Sequence, residues 1–322
     1  MKLQQSLRVL ITCPPMLQNM DNVRSIFDQC GVQVATPEIV QTMTVEELKR
    51  ELPAFDGWII GDDPANREVF TAGRLGRLKA AVKWGVGVDN VDFDAARELG
   101  IPIANTPGMF GREVADMALG YVIALARHTH LIDRAVRDGR WEKPAGVSLA
   151  GRTAAIVGFG DIGASLAKRL LACDMKVVVY DPYYNLKPGL EVVERAEWPT
   201  RVDEADFLIM TCALTKNNFH MVDGDVLGRV KRGVRIVNVA RGALIDESAL
   251  IRALANETVH SAALDVFETE PLPFESTLRK FGQCIFGSHN GSNTVDAVER
   301  ANKLAVKILL EFLGIEIRED PD

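Results

Sequence analysis

The strongest constraint on the fold is an alternation of strand-like and helix-like segments that runs twice along the chain. "LRVLIT", "VQVA", "GWIIG", "KAAVKWG" and "IPIAN" read as short buried strands. Between them "DNVRSIFDQCG", "TVEELKREL", "NREVFTAG" and "NVDFDAARELG" carry apolar residues at helical spacing. Thr44 with Glu47 three residues on is a capping pattern, and Gly31 is a stop signal. Alternation of this kind calls for a parallel sheet covered by helices on both faces. A long helical pattern then covers about Arg112 to Arg137, ended by Gly139, and "WEKPAGVSLAG" forms a loop. A second series follows: "TAAIVGFG", "KVVVYDPY", "EVVER", "ADFLIMTC", "GVRIVNVARG", "TVHSAALDVF" and "QCIFGSHNGS" as strands and strand ends, with helices between.

Two series predict two doubly wound units. The first spans 1–103 and the second 104–291, with the amphipathic helix in "NTVDAVERANKLAVKILLEFLG" returning to the first unit, so that 292–322 completes it. The tail "IEIREDPD" is expected to fray. Hinges between the units are expected near Ile103–Pro107 and Gly291–Asn293.

Composition narrows the function classes. The 322 residues are 47% apolar and carry a net charge of −7, with basic residues scattered, which disfavours nucleic acid as a partner. Five cysteines at 13, 30, 173, 212 and 284 show neither a zinc spacing nor a CxxC, so no metal is expected. The first apolar run, Leu7 to Thr12, is too short for a signal-peptide core, and no stretch approaches a membrane span. A cytoplasmic protein is the expectation.

The second series opens on "AAIVGFGDIGASLAKRL". Gly158 permits a tight turn, Gly160 lets backbone approach a pyrophosphate, and Gly163 allows close helix–strand packing. The helix amides and dipole would then hold the phosphates. The next strand ends at Asp181, near the spacing of about 20 residues expected for the acid on the ribose hydroxyls. Asp181 is followed by Pro182, Tyr183 and Tyr184, with no arginine for a 2′-phosphate, so NAD is favoured over NADP.

Three charged residues fall just past strand ends of the same unit: Arg241, Glu270 and His289. A guanidinium grips a carboxylate bidentately and polarises the adjacent carbonyl. A histidine moves the hydroxyl proton, and a carboxylate beside it fixes its tautomer. His289 is flanked by small residues in "FGSHNGS", whereas His128, His130, His220 and His260 read as structural.

"VGFGDIG", "VYDPY", "NVARGALIDESAL", "AALDVFETEP" and "SHNGSNT", in this order, resemble the D-isomer-specific 2-hydroxyacid dehydrogenases over essentially the whole chain. The resemblance implies a Rossmann cofactor domain plus a flavodoxin-like substrate domain with a cleft between them. It implies NAD-dependent interconversion of a D-2-hydroxy acid and its 2-oxo acid, with Arg241 on the substrate, Glu270 paired to the histidine and His289 as acid/base. Cofactor contacts are implied at Asp161 and Ile162 behind the phosphates, at Cys212, Val239 and Ala240 along the cofactor, and at Asp265 on the nicotinamide carboxamide. "KWGVGVDNVD" is similar to the family's substrate loop, with Lys83 where many members have arginine and with Val86 and Gly87 offering backbone. A homodimer is implied, with "GRWEKPAGVSLAG" and Trp141 as an interface segment.

Ala213, Ser288 and Asn290 depart from the residues usual at their positions. Within the family the similarity is greatest to phosphoglycerate dehydrogenases, and the expectation is a short form without a C-terminal sensing domain. A phosphate would need cations, for which Lys83, Arg67 and Arg74 are candidates. The alternatives are a glyoxylate or hydroxypyruvate reductase and, in another class, an NAD-sensing interaction protein of corepressor type. Glu270 stands where the related formate dehydrogenases carry glutamine, which argues against that activity.

Overall fold

The computed structural model describes residues 6–316, so most of the acidic tail lies outside the described residues. The chain divides into two compact units, one made of residues 1–110 and 293–322, the other of residues 111–292.

The first unit is built on five parallel strands: β1 (Arg8–Ile11), β2 (Gln33–Ala35), β3 (Gly57–Ile60), β4 (Ala80–Lys83) and β5 (Ile103–Asn105). Their order is β2-β1-β3-β4-β5. Because β5 pairs with β4 as the far edge strand, the chain leaves this unit after Phe110, a few residues beyond the boundary expected at 103. The central strands β3 and β4 are buried at every position because both faces are covered. One cover is the helix Val295–Phe312, whose buried residues are Ala297, Val298, Ala301, Asn302, Ala305, Val306, Leu309 and Leu310. The fully buried Asn302 accepts from Trp84 Nε1 at 2.8 Å and donates to Asn22 at 3.1 Å, which seats that helix against both β4's exit and the helix Asp21–Gln29.

Thr44 and Glu47 form a reciprocal capping box at the start of the helix Val45–Glu51. Thr44→Ala is expected to destabilise this unit by about 1 kcal/mol, seen as a lower urea midpoint.

The second unit has seven parallel strands: β6 (Thr153–Val157), β7 (Lys176–Tyr180), β8 (Glu194–Arg195), β9 (Phe207–Met210), β10 (Val234–Asn238), β11 (Val259–Leu264) and β12 (Ile285–Phe286). Their order is β12-β11-β10-β9-β6-β7-β8, so the winding reverses between β6 and β9. Ligands of open parallel sheets bind beyond the carboxyl ends of the strands at such a reversal.

Two expectations need correction. The long helical pattern is two helices, Gly111–Arg127 and Thr129–Arg137, broken at His128, whose φ of 57° is left-handed. The buried His128 ring lies against His260 at 5.6 Å, while His130 and Arg134 bond the carbonyls of Gln283 and Gly282; packing therefore sets the break. "EVVER" supplies only the two-residue edge strand β8, in which Glu194 and Arg195 pair with β7, while Val193 is buried and Val192 is 71% exposed. No helix among the described residues is long and apolar enough to cross a membrane.

Candidate active site

The glycine turn lies at the winding reversal of the second sheet. Gly158 has φ of 99°, and a Cβ there would stand 2.6 Å from the amide nitrogen of Cys212, just past β9. At Gly163 a Cβ would fall on the Gly158 carbonyl oxygen and within 3.0 Å of Thr211 Oγ1, so only glycine lets the helix Asp161–Ala172 meet the sheet. Gly160 is different: nothing lies within 4 Å of where its Cβ would be. It opens a helix whose first turn no side chain caps. Asp161 and Ile162 occupy that first turn, and a side chain at Gly111 would collide with the Asp161 carboxylate.

Asp181 follows β7 and accepts from the amides of Phe159, at 2.6 Å, and Tyr183, at 2.8 Å. The carboxylate is thereby fixed beside the glycine turn. Cys212 is mostly buried, and burial pushes its thiol up to about 11, which makes it an apolar wall rather than a nucleophile.

Past β10, buried Val239 and Ala240 lead into Arg241. Sequence reasoning missed the residue that shapes this turn, Asn238. It is 1% exposed, accepts from the Ala240 amide at 3.0 Å and donates to the Arg241 carbonyl at 2.8 Å. A buried amide with two local backbone partners is a turn device that could have been read from its place at a strand end. Gly242 was missed as well. A side chain there would overlap the Phe267–Glu268 backbone, so its absence lets the Arg241 turn abut the loop that carries Glu270.

Glu270 Oε2 lies 2.8 Å from His289 Nδ1, and its Oε1 accepts from the Phe267 amide at 2.9 Å. The backbone bond orients the carboxylate, and the carboxylate selects the tautomer that leaves Nε2 for other partners. Both side chains are about one quarter to one fifth exposed (24% and 21%), shielded but reachable. His289 has φ of 55°, a conformation an L-residue holds only when its surroundings impose it. Here the 2% exposed Asp265 imposes it. Its carbonyl accepts from the His289 amide at 2.7 Å, and its carboxylate accepts from Asn290 and Gly291 at 3.1 and 2.8 Å.

The structure thus brings Arg241, Glu270 and His289 onto touching loops at one end of one sheet. Lys83, Val86 and Gly87 lie in the other unit. Lys83 ends β4, is 3% exposed, donates to the Gly61 carbonyl at 2.6 Å and pairs with Asp62 at 3.0 Å. Val86 and Gly87 follow in the loop beyond β4. Arg67 pairs with Glu98 at 2.7 Å, and Arg74 donates to the Leu99 carbonyl at 3.0 Å. Near the Glu270 loop, His220, Asp246 and Glu268 bring ligand atoms within 4.8 Å of one another. Protein groups already engage them: His220 contacts Glu268 at 3.0 Å, Asp246 caps the Ala249 amide, and Glu268 accepts from the Glu247 amide.

A family model described as the NAD binding domain of D-isomer specific 2-hydroxyacid dehydrogenases matches residues 119–291. The chain belongs to this family. It is 36% identical over 277 residues to a hydroxypyruvate reductase of Thermotoga maritima, covering 84% of this chain and 89% of the relative. It is 32% identical over 281 residues to a glyoxylate reductase of Thermofilum pendens, covering 84% and 82%. A D-3-phosphoglycerate dehydrogenase of Archaeoglobus fulgidus is 32% identical over 295 residues, covering 90% of this chain but 54% of that longer protein. Among solved structures, the TT0316 protein from Thermus thermophilus superimposes with a TM-score of 0.85 at 31% identity, covering 97% of this chain and 99% of that one. Two parallel α/β units, one of them a Rossmann domain, are the fold of these NAD-dependent oxidoreductases, and this dehydrogenase is one of them.

The geometry of the dehydrogenase suits NAD. Open space at Gly160 and the uncapped helix start fit a pyrophosphate, and the fixed Asp181 carboxylate fits a ribose diol while repelling a 2′-phosphate. Asp181→Ala is expected to weaken NADH binding about tenfold and to narrow the preference over NADPH by a similar factor, measured by fluorescence titration with both cofactors.

Proposed function

We propose that the dehydrogenase reduces a small unphosphorylated 2-oxo acid of the glyoxylate or hydroxypyruvate type to the corresponding 2-hydroxy acid, of D configuration where the product is chiral. The observation that carries the choice is the state of the three cations considered for a phosphate. Lys83 is buried and held by Gly61 and Asp62, Arg67 is paired with Glu98, and Arg74 is bonded to the Leu99 carbonyl. A phosphate dianion at the buried Lys83 would have to displace the Asp62 carboxylate or lie beside it, at a cost in desolvation and like-charge repulsion. The two relatives named as reductases of hydroxypyruvate and glyoxylate also match over most of their own length.

The residue roles follow from chemistry and position. Arg241 binds the substrate carboxylate and polarises the neighbouring carbonyl. His289, held by Glu270 through Nδ1, uses Nε2 to give a proton to the carbonyl oxygen in reduction and to take it from the hydroxyl in oxidation. Glu270 holds the imidazole and balances its charge when it is protonated. NAD, when bound, supplies the hydride acceptor or donor; Gly158, Gly160, Asp161, Ile162, Gly163 and Asp181 hold its phosphates and ribose, and Cys212, Val239 and Ala240 flank it. Asp265 acts first on the loop that carries His289. Val86 and Gly87 offer backbone amides to the substrate. The same reading includes a cytoplasmic homodimer, to which the 79% exposed Trp141 would contribute; light scattering of the purified chain checks the stoichiometry.

A panel of 2-oxo acids followed by NADH absorbance tests the proposal. Glyoxylate or hydroxypyruvate should lead in kcat/KM. A lead of tenfold or more for 3-phosphohydroxypyruvate would replace the proposed substrate with the phosphorylated one, the reading that the similarity to phosphoglycerate dehydrogenases supports. Silence across the panel would favour an NAD-sensing interaction protein.

A further inference from the structure

The left-handed backbone of His289 depends on Asp265, and Asp265 in turn has a partner that nothing above employs. Tyr121, on the helix Gly111–Arg127, donates its hydroxyl to Asp265 Oδ1 at 3.4 Å. The space for that hydroxyl exists because position 287 is glycine. A Cβ at Gly287 would lie 2.6 Å from Tyr121 Oη, 3.0 Å from Asp265 Cα, and on Asp265 Oδ1 itself. Gly287 is also tied to the sheet, its amide donating to the Leu264 carbonyl at 2.8 Å. A phenol, a buried carboxylate and a glycine thus interlock directly beneath three successive amides, those of His289, Asn290 and Gly291, all of which end on Asp265.

We propose that Tyr121 is a positioning residue for the acid/base histidine, acting through Asp265 in a latch for which Gly287 makes room. The hydroxyl fills acceptor capacity that the loop amides leave on Oδ1 and fixes the plane of the carboxylate. That plane determines where the Asn290 and Gly291 amides sit, and hence where the His289 side chain leaves the backbone. Burial, with the Asp265 charge and the hydrogen bond adding to it, pushes the Tyr121 phenol well above its ordinary range, so it stays a donor across the working pH. A catalytic group displaced by a fraction of an ångström loses rate before it loses binding.

This inference rests on the reading of His289 as acid/base, and the test separates the two. Tyr121→Phe keeps the ring and removes the donor. It is expected to lower kcat about five- to tenfold, with KM for the 2-oxo acid, NADH affinity and Tm little changed, and to speed hydrogen exchange at Asn290 and Gly291. Gly287→Ala, which pushes the same groups apart, should cost more in kcat and lower Tm as well, and the double variant should cost clearly less than the product of the two. Wild-type kcat in Tyr121→Phe with unchanged exchange at 290 and 291 would overturn the latch, as would strictly multiplicative single effects. If the wild type turns over nothing in the panel, the assignment of function fails, while faster or unchanged exchange in Tyr121→Phe still decides for or against the latch. Should Tyr121→Phe not fold, Gly287→Ala supplies the same comparison of kcat, KM and exchange.

Discussion

Replacing His289 by asparagine is expected to lower kcat by about a thousandfold or more while NADH affinity changes less than threefold. Proton transfer by a positioned side chain contributes roughly 10² to 10⁴ in rate, and asparagine keeps a similar size without the ability to accept and return a proton. The residues proposed for the cofactor's phosphates and ribose are spared, because Gly158, Gly160, Gly163 and Asp181 belong to the β6 and β7 ends, whereas His289 follows β12. Asparagine also tolerates the left-handed conformation that position 289 adopts, so the loss reports chemistry rather than backbone damage. Single-turnover absorbance and fluorescence titration separate the two quantities. A variant within tenfold of the wild-type rate would remove His289 from the reaction. Glu270→Gln should fall between the two, at about 10- to 100-fold in kcat, because the hydrogen bond to Nδ1 survives in part but its charge does not.

A large structural effect is expected from Gly158→Ala. Its φ of 99° is costly for any residue with a Cβ, by about 1–3 kcal/mol. In addition, the new carbon would meet the Cys212 amide nitrogen at 2.6 Å and its Cα at 2.7 Å, which are backbone atoms that cannot swing aside. Separating β6's exit from β9's exit would misalign the turn against the helix Asp161–Ala172. Loss of NADH binding by at least tenfold is expected, together with destabilisation of about 3 kcal/mol or more. Titration of NADH and thermal unfolding measure these. Gly160→Ala is the control: a methyl there meets no atom of the protein, so Tm should hold while NADH binding alone weakens.

Legibility varied with the reach of the interaction. The capping box at Thr44 and the glycine turn were readable because their partners lie within a few residues of each other. Arg241, Glu270 and His289 were readable as strand-end residues of one unit, although their junction at Gly242 was not, since it depends on two loops meeting across β10 and β11. The helix break at His128 was hidden for the same reason: residues 111–137 keep a helical period throughout, and only the packing of His128 against His260 and of His130 and Arg134 against residues 282 and 283 divides them.

Lys83 shows the limit from the other side. The family resemblance marks it as a substrate cation, and folding brings Gly61 and Asp62, just past the neighbouring strand, to two of its three donors. Periodicity, glycine spacing and strand-end chemistry by themselves determined that this chain makes two doubly wound units, where the dinucleotide turn lies, and which three side chains to propose for the chemistry. Tertiary structure alone decided how Lys83 is engaged, how Asn238, Gly242 and Asp265 hold the loops of Arg241, Glu270 and His289, and that Tyr121 reaches the carboxylate behind His289. The division is physical: local patterns encode backbone conformation and burial, whereas the partner of a polar side chain is chosen by whichever distant segment the sheet order brings beside it.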